Sequence, residues 1–217
     1  SNLAVGHNGN LTNALELKKK LDSKGSIFQT TSDTEVILHL AAVSKKKTRY
    51  DRICDALSKC RGAFSLVFLT EDSLIAARDP QGFRPLALGK FGSSWVVASE
   101  TWVFDIIGAK YVRDIENGEV IIFDDKGAHS YKPFPTMAPR PCIFEYIYFA
   151  RPDSVMNGHS VYGVRLEMGR QLARAWREKG LQADVVIPIP DTSRPSATSL
   201  AEQLGLLFRE GFIKNRY

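Results

Sequence analysis

Two short phrases near the start of the sequence carry side chains that could act on an amide. The first is His7-Asn8-Gly9-Asn10. Cleaving an amide builds negative charge on the carbonyl oxygen, and preorganised donors must meet that charge. The Asn8 side-chain amide and the Gly9 main-chain N–H are such a pair, because glycine lets the backbone come close to a ligand. The same residues also suit a loop turn in which Asn and Gly supply positive φ. The second phrase is Thr30-Thr31-Ser32-Asp33-Thr34-Glu35. An aspartate at the mouth of a helix could hold the α-ammonium of an amino-acid substrate. It could equally be a cap, with Ser32 or Asp33 accepting main-chain N–H bonds. A third phrase, Arg78-Asp79-Pro80-x-Gly82-x-Arg84-Pro85, reads as a tight turn pinned by Arg–Asp bonds, and Ser99-Glu100 has a similar structural reading.

The elements that must position these residues follow from periodicity. Leu3 to Val5 read as a short strand running into a loop over Gly6–Asn10. Thr12 or Asn13 can cap a helix through Leu15, Leu17 and Leu21 that stops at Gly25. A second helix places Val36, Ile37, Leu40 and Ala41 on one face, and a third spans about Tyr50 to Cys60. The period then changes. Ala63–Leu69, Leu74–Ala77, Leu86–Leu88, Trp95–Ala98 and Glu119–Phe123 read as short strands separated by turns. Helices followed by an antiparallel set imply layered α/β (α+β) packing, not a doubly wound parallel sheet.

Lys132 to Pro141 holds four of the ten prolines. Proline fixes φ and removes a donor, so residues 133–141 read as an extended linker between a first domain, 1–132, and a second, 142–217. In the second domain Val161 to Lys179 is an amphipathic helix with Val164, Met168, Leu172 and Ala175 on its apolar face. Ala183 to Pro190 is a buried strand, Asp191 to Pro195 a loop, and Ser196 to Leu204 a helix. That order opens a parallel α/β domain.

Hydrophobic residues make up 44% and charged residues 24%, the balance of an ordinary globular protein. The net charge is +5, but the basic residues are scattered, and Lys45-Lys46-Lys47 reads as a solvated connector between helices. Nucleic acid is therefore not expected as a partner. No apolar run approaches the ~20 residues of a membrane helix. Cys54, Cys60 and Cys142 cannot all pair and lack metal-finger spacing, so a reducing, cytoplasmic setting is expected. Cys54 and Cys60, six apart on a helical pattern, read as packing residues.

Taken in order, HNGN, TSDTE, RDPxGFRPL and ASE resemble the class II glutamine amidotransferase domain. Cys142-Ile143-Phe144-Glu145-Tyr146-Ile147-Tyr148-Phe149-Ala150-Arg151-Pro152-Asp153-Ser154 resembles the domain junction of amidophosphoribosyltransferases, and Ile213 to Tyr217 resembles the start of their flexible active-site loop. The resemblance covers nearly the whole chain. It implies an N-terminal-nucleophile αββα sandwich followed by the start of a phosphoribosyltransferase-type α/β domain. It implies glutamine and phosphoribosyl pyrophosphate as substrates, Mg2+ with the pyrophosphate, purine nucleotides as feedback inhibitors, and a homo-oligomer.

By the same resemblance Asn8 and Gly9 match the oxyanion-hole pair and Asp33 matches the residue that binds the glutamine amino group. Lys214 and Tyr217 match positions in the loop that folds over phosphoribosyl pyrophosphate. Thr192 and Ser193, in the loop Asp191–Ser196, lie where the transferase core approaches ligand phosphates, a weaker analogy at the level of fold. Cys142 matches a junction cysteine that can be one ligand of an iron–sulfur cluster. Such a cluster usually needs four thiolates, and a buried structural thiol is the competing role. The family's nucleophile is a cysteine at the mature N-terminus, and none of the three cysteines stands in its motif. Both the first residues of the glutaminase half and the end of the transferase half are expected to be missing from the sequence. A glucosamine-phosphate synthase type of amidotransferase and a non-catalytic nucleotide-binding or interaction fragment are the alternatives. Residues 1–217 alone are expected to release no glutamate from glutamine, because the nucleophile supplies the bond-making step. Turnover near that of a full-length relative would overturn the assignment of a missing cysteine.

Overall fold

The computed structural model describes residues 3–215. The chain forms two compact units, Ser1–Ser99 with Val112–Pro141, and Glu100–Tyr111 with Cys142–Tyr217. The first unit starts with β1 (Ala4–Leu11), followed by helices α1 (Ala14–Asp22), α2 (Asp33–Val43) and α3 (Arg49–Leu57). Then come β2 (Gly62–Leu69), β3 (Leu74–Arg78), β4 (Ala87–Phe91), β5 (Ser94–Ala98), β6 (Lys110–Asp114), β7 (Val120–Asp124) and β8 (Gly127–Tyr131). A five-stranded sheet has the order β1-β2-β3-β7-β8, and a three-stranded sheet the order β5-β4-β6.

Strand alternation explains the layers. Residues two apart share a face, so Phe64, Leu66 and Phe68 of β2 turn one way, with Ile75 and Ala77 of β3 and Val120 of β7. They pack on Ile37, Ile53 and Leu57 of the helices. The intervening positions Ala76, Ile121 and Phe123 turn the other way and pack on Leu86, Leu88 and Ile115 beside the second sheet. Helices, sheet and sheet are thus three layers of mixed α/β architecture. A separate cluster of Leu17, Leu21, Val36, Leu40, Ala41 and Ala56 joins the three helices to one another.

The segment expected to loop over Gly6–Asn10 is strand. β1 pairs with β2 from Ala4↔Leu69 to Leu11↔Gly62, so the chemistry-bearing residues stand in a fixed register. Asn13 precedes α1, but its side chain serves the β2 entrance instead of the helix. It donates to the Lys59 carbonyl at 3.0 Å and accepts the Arg61 N–H at 2.8 Å. β6 and β8 had no clear sequence signal: charged and small residues interrupt their alternation.

The second unit contains α4 (Trp102–Ile107), a π-helical turn Glu145–Phe149, the hairpin β9 (Val155–Met156) and β10 (His159–Ser160), and α5 (Val161–Glu178). β11 (Val185–Val186), α6 (Arg194–Leu204) and β12 (Leu207–Phe208) complete it. Polar side chains hold the segment from Glu100 within this unit. The Glu100 carboxylate accepts the Arg151 N–H and the Ser154 hydroxyl, each at 2.8 Å. Thr101 Oγ1 accepts the Val155 N–H at 2.8 Å, and the Arg151 guanidinium lies 4.2 Å from the Trp102 ring centroid.

The buried face of α5 differs from the expected one. Val161, Arg165, Gly169 and Ala173 are buried, whereas Leu172 is exposed. Two features rotate the face. Arg165, 1% exposed, donates through Nε to the Tyr146 carbonyl at 2.6 Å and through Nη2 to the Ala150 carbonyl at 2.8 Å, so two of its three nitrogens are satisfied inside and Nη1 is not. Gly169 admits α6 so closely that a Cβ there would stand 2.3 Å from the Ser196 carbonyl oxygen. The expected buried strand is only β11, paired parallel to β12, and Val185, Ile187 and Ile189 are exposed among the described residues.

In the first unit, Glu119 carries a buried charge. It is 1% exposed and accepts two bonds from Arg113 at 2.6 and 2.7 Å, the Glu116 N–H at 2.7 Å and the Ser130 hydroxyl at 2.5 Å. Burial pushes the carboxyl up, but the bonds from Arg113, Ser130 and Glu116 outweigh it, and its pKa lies below the usual value. Glu119→Gln is expected to cost about 3 kcal/mol, the low end for a broken buried pair, since the Arg113 side chain is 39% exposed. A lowered folded pKa stabilises above the unfolded value of about 4.3 and ceases to do so as pH falls through the folded one. Urea denaturation across pH should therefore show the gap between the two proteins closing below about pH 4. A gap independent of pH would contradict this.

Gly9 is fixed by close approach. A Cβ there would stand 2.1 Å from the Ala63 carbonyl oxygen, whereas one at Gly6 would meet nothing within 4 Å. Gly9→Ala should destabilise by about 1–3 kcal/mol and Gly6→Ala by much less. Equal denaturation midpoints for the two variants would refute the close approach.

Candidate active site

The hydrogen bonds around β2 reveal where β1 directs its main-chain groups. The Phe64 carbonyl accepts the Asp79 N–H at 2.8 Å, and the Phe64 N–H points to Asp79 Oδ2 at 3.3 Å. Phe64 therefore faces β3, and its neighbour Ser65 faces β1. In an antiparallel ladder this makes Asn8↔Ser65 a hydrogen-bonded pair and leaves Gly9, opposite Phe64, directing its N–H away from β2. The Leu11 N–H, two residues on and of the same parity, points outward too. It donates to Asp33 Oδ2 at 2.8 Å. Because β1 is the outer strand, the Gly9 N–H is presented at the edge of the sheet.

The Asn8 amide is oriented by the turn after β3. Arg84 Nε donates to Asn8 Oδ1 at 3.0 Å, which assigns the oxygen end and sets the NH2 end as donor. That donor lies 3.4 Å from Ser99 Oγ. Arg84 is itself held through its carbonyl, which accepts Arg78 Nε at 2.9 Å and the Ser65 hydroxyl at 3.2 Å. Arg78 also donates to the Ile115 carbonyl at 2.7 Å and the Gly82 carbonyl at 3.3 Å. Asp79, fully buried, accepts the Gln81 N–H at 2.9 Å and the Phe83 N–H at 3.1 Å. The turn was expected to be pinned by Arg–Asp bonds. Arg78 and Asp79 each also grip the backbone of the turn. Burial pushes the Asp79 carboxyl up, opposed by those N–H donors.

On the opposite face of β1, His7 meets the start of α2. Its Nε2 lies 3.3 Å from the Ala63 carbonyl oxygen and its Nδ1 3.0 Å from Thr34 Oγ1. Asp33 Oδ1 is 3.7 Å from His7 Nδ1. Ser32, not Asp33, caps α2: its Oγ accepts the Thr34 N–H at 3.2 Å. Asp33 is thereby released from the capping role and reaches across to β1. Glu35 ties down the preceding chain, accepting N–H bonds from Gln29 and Thr30 at 2.8 Å. The Gln29 N–H, then the Thr30 hydroxyl, hold its pKa at about 2.

Asn8, Gly9 and Asp33 therefore come together around one strand. Arg84, His7 and Thr34, which no sequence motif singled out as functional, complete the group. The two half-buried thiols of this unit do not suit a nucleophile. Burial raises the pKa of Cys54, and it pushes Cys60 up to about 12.

Two of the residues expected to meet ligand phosphates, Thr192 and Ser193, precede α6. Thr192 and Ser193 lie in the turn between β11 and α6, and the Ser193 hydroxyl donates to the Ile189 carbonyl. Arg194 pairs with Asp191 at 3.5 Å and Glu210 at 3.2 Å. Lys214 is exposed, and Tyr217 lies outside the described residues. Cys142 is partly buried. Among the described residues no three His, Cys, Asp or Glu side chains converge as a metal site. No helix of the described residues is long and apolar enough to cross a membrane.

The chain is similar to known proteins along nearly its whole length. A family model described as a glutamine amidotransferase domain matches residues 1–105. The chain is 46% identical over 99% of its length to the amidophosphoribosyltransferase of Rhizobium etli, and equally to that of Bacillus subtilis. It spans 44% of the length of each of these relatives. Among solved structures, the glutamine phosphoribosylpyrophosphate amidotransferase of B. subtilis, complexed with ADP and GMP, matches 99% of this chain and 47% of its own. The TM-score is 0.92 at 46% identity. Over 99% of its length this chain is thus similar to amidophosphoribosyltransferases, and its residues 1–105 match a glutamine amidotransferase domain.

Proposed function

We propose that the chain forms part of an enzyme that hydrolyses glutamine to glutamate and ammonia. The ammonia then displaces pyrophosphate from phosphoribosyl pyrophosphate to give 5-phosphoribosylamine, the first committed step of de novo purine synthesis. The observation that carries the first half is the pairing of an oriented Asn8 amide with the outward Gly9 N–H on one outer strand. When a nucleophile attacks the γ-amide carbon of glutamine, its carbonyl oxygen becomes an oxyanion. Asn8 Nδ2 and the Gly9 N–H meet that charge without rearranging, which is where such donors gain most. The Asp33 carboxylate, 22% exposed in its side chain, holds the α-ammonium.

Ammonia is passed onward through a water-poor interior, which keeps it unprotonated and nucleophilic. In the second unit Thr192, Ser193 and Lys214, with Tyr217, serve the phosphates of phosphoribosyl pyrophosphate. The turn at the N-terminus of α6 suits an anion, and Mg2+ accompanies the pyrophosphate. A solved relative bound to ADP and GMP supports purine nucleotides as regulators. A homo-oligomer in the cytoplasm completes the reading. Cys142 is assigned a packing role.

Two substitutions in the full-length enzyme test it. Asn8→Ala should lower glutamine-dependent kcat about a hundredfold or more, the usual cost of one lost oxyanion donor. Asp33→Asn should raise the glutamine KM about ten- to a hundredfold by removing a charge-assisted bond. Ser32 still caps α2 in that variant, so the melting curve should change little. Ammonia-dependent synthesis should persist in both. If glutamine- and ammonia-dependent rates fall together, Asn8 and Asp33 are structural and the proposal fails.

A further inference from the structure

We infer that His7 is a positioning residue of the glutaminase site, fixing the distance between the Gly9 donor and the Asp33 carboxylate and so the length of amide substrate accepted. The inference rests on the glutaminase reading above. Its ground is the placement of one buried ring. The His7 side chain is 3% exposed and lies over Gly9, where its Nε2 would be 2.7 Å from a Cβ at position 9. A carbonyl oxygen can only accept, so the Ala63 contact places a proton on Nε2. The other ring nitrogen, Nδ1, meets Thr34 Oγ1 at 3.0 Å. His7 therefore bridges the β1–β2 pair to the first turn of α2, where Asp33 sits.

That bridge spans the two ends of the substrate. Asp33 Oδ2 is anchored on the Leu11 N–H, and the Gly9 N–H points the same way two residues earlier. Two residues of strand are about 6.8 Å. The strand is thus a ruler, with an ammonium site at one mark and an oxyanion site at the other. Without His7, α2 loses its side-chain link to the Ala63 carbonyl, and the Asp33 carboxylate can swing about its bond to the Leu11 N–H. The Thr34 hydroxyl donates to Asp33 Oδ1 at 3.3 Å and its oxygen stands 3.0 Å from His7 Nδ1, so Thr34 lies between the ring and the carboxylate and couples their positions. Glutamine and asparagine differ by one methylene between these ends, and a loosened ruler discriminates between them less.

The test uses the full-length enzyme with His7→Gln, Thr34→Val and Thr34→Ser. Glutamine- and asparagine-dependent hydrolysis, ammonia-dependent synthesis and melting are measured on each. His7→Gln and Thr34→Val should lower kcat/KM for glutamine about ten- to a hundredfold. They should lower the glutamine-to-asparagine preference about tenfold and spare ammonia-dependent synthesis. Thr34→Ser keeps the hydroxyl and should stay near wild type. Should His7→Gln fail to fold, the near-isosteric Thr34→Val against Thr34→Ser decides. An unchanged preference in Thr34→Val, or equal losses in Val and Ser, overturns the inference while leaving the glutaminase reading intact. A wild-type enzyme that hydrolyses no glutamine overturns both.

Discussion

The space beside Gly9 is the constraint on which the site depends. The Ala63 carbonyl oxygen and the His7 imidazole both occupy the volume a side chain at position 9 would need. Only glycine lets β1 lie that close to β2 while His7 folds over it. The closeness has two consequences. It fixes the register of β1, so that Gly9 turns its N–H outward and Asn8 turns its amide toward the second sheet. It also brings the start of α2 to the strand, where Asp33 takes the Leu11 N–H. One packing contact therefore sets all three groups of the proposed site.

Preorganisation on the other face comes from buried charge used as scaffolding. Arg78 and Asp79 spend their hydrogen bonds on main-chain carbonyls and N–H groups of the turn that follows β3. That turn delivers Arg84 to Asn8. A charge buried without partners would be unfavourable by several kcal/mol, so the turn holds one conformation or unfolds. Gly82 contributes by necessity: its φ is +65°, and a Cβ would meet the Asn117 side chain at 1.9 Å. An amide donor held by so many groups need not reorganise when charge develops on the substrate.

Much of this was legible before any coordinates. The helices carry strong 3.6-residue patterns, and β2, β3 and β7 carry apolar runs that only a buried sheet explains. HNGN and TSDTE marked residues that the fold brings together around β1, though Gly6 to Asn10 proved to be strand: local preference for a turn lost to pairing along the whole of β1. The roles of Arg84 and His7 were not legible, because each depends on a partner tens of residues away, Arg84 on Asn8 and His7 on Thr34. The face of α5 was misjudged because pattern reading places a leucine inside and an arginine outside. Carbonyls at the π-helical turn reverse that order for Arg165.

The most direct measurement is a crystal structure of the full-length enzyme with a glutamine analogue trapped as a tetrahedral adduct at its γ-carbon. The account predicts the oxyanion within about 3 Å of both Asn8 Nδ2 and the Gly9 nitrogen, the ammonium on Asp33, and His7 still between Ala63 and Thr34. An oxyanion directed away from β1, or an ammonium bound elsewhere than Asp33, would contradict it.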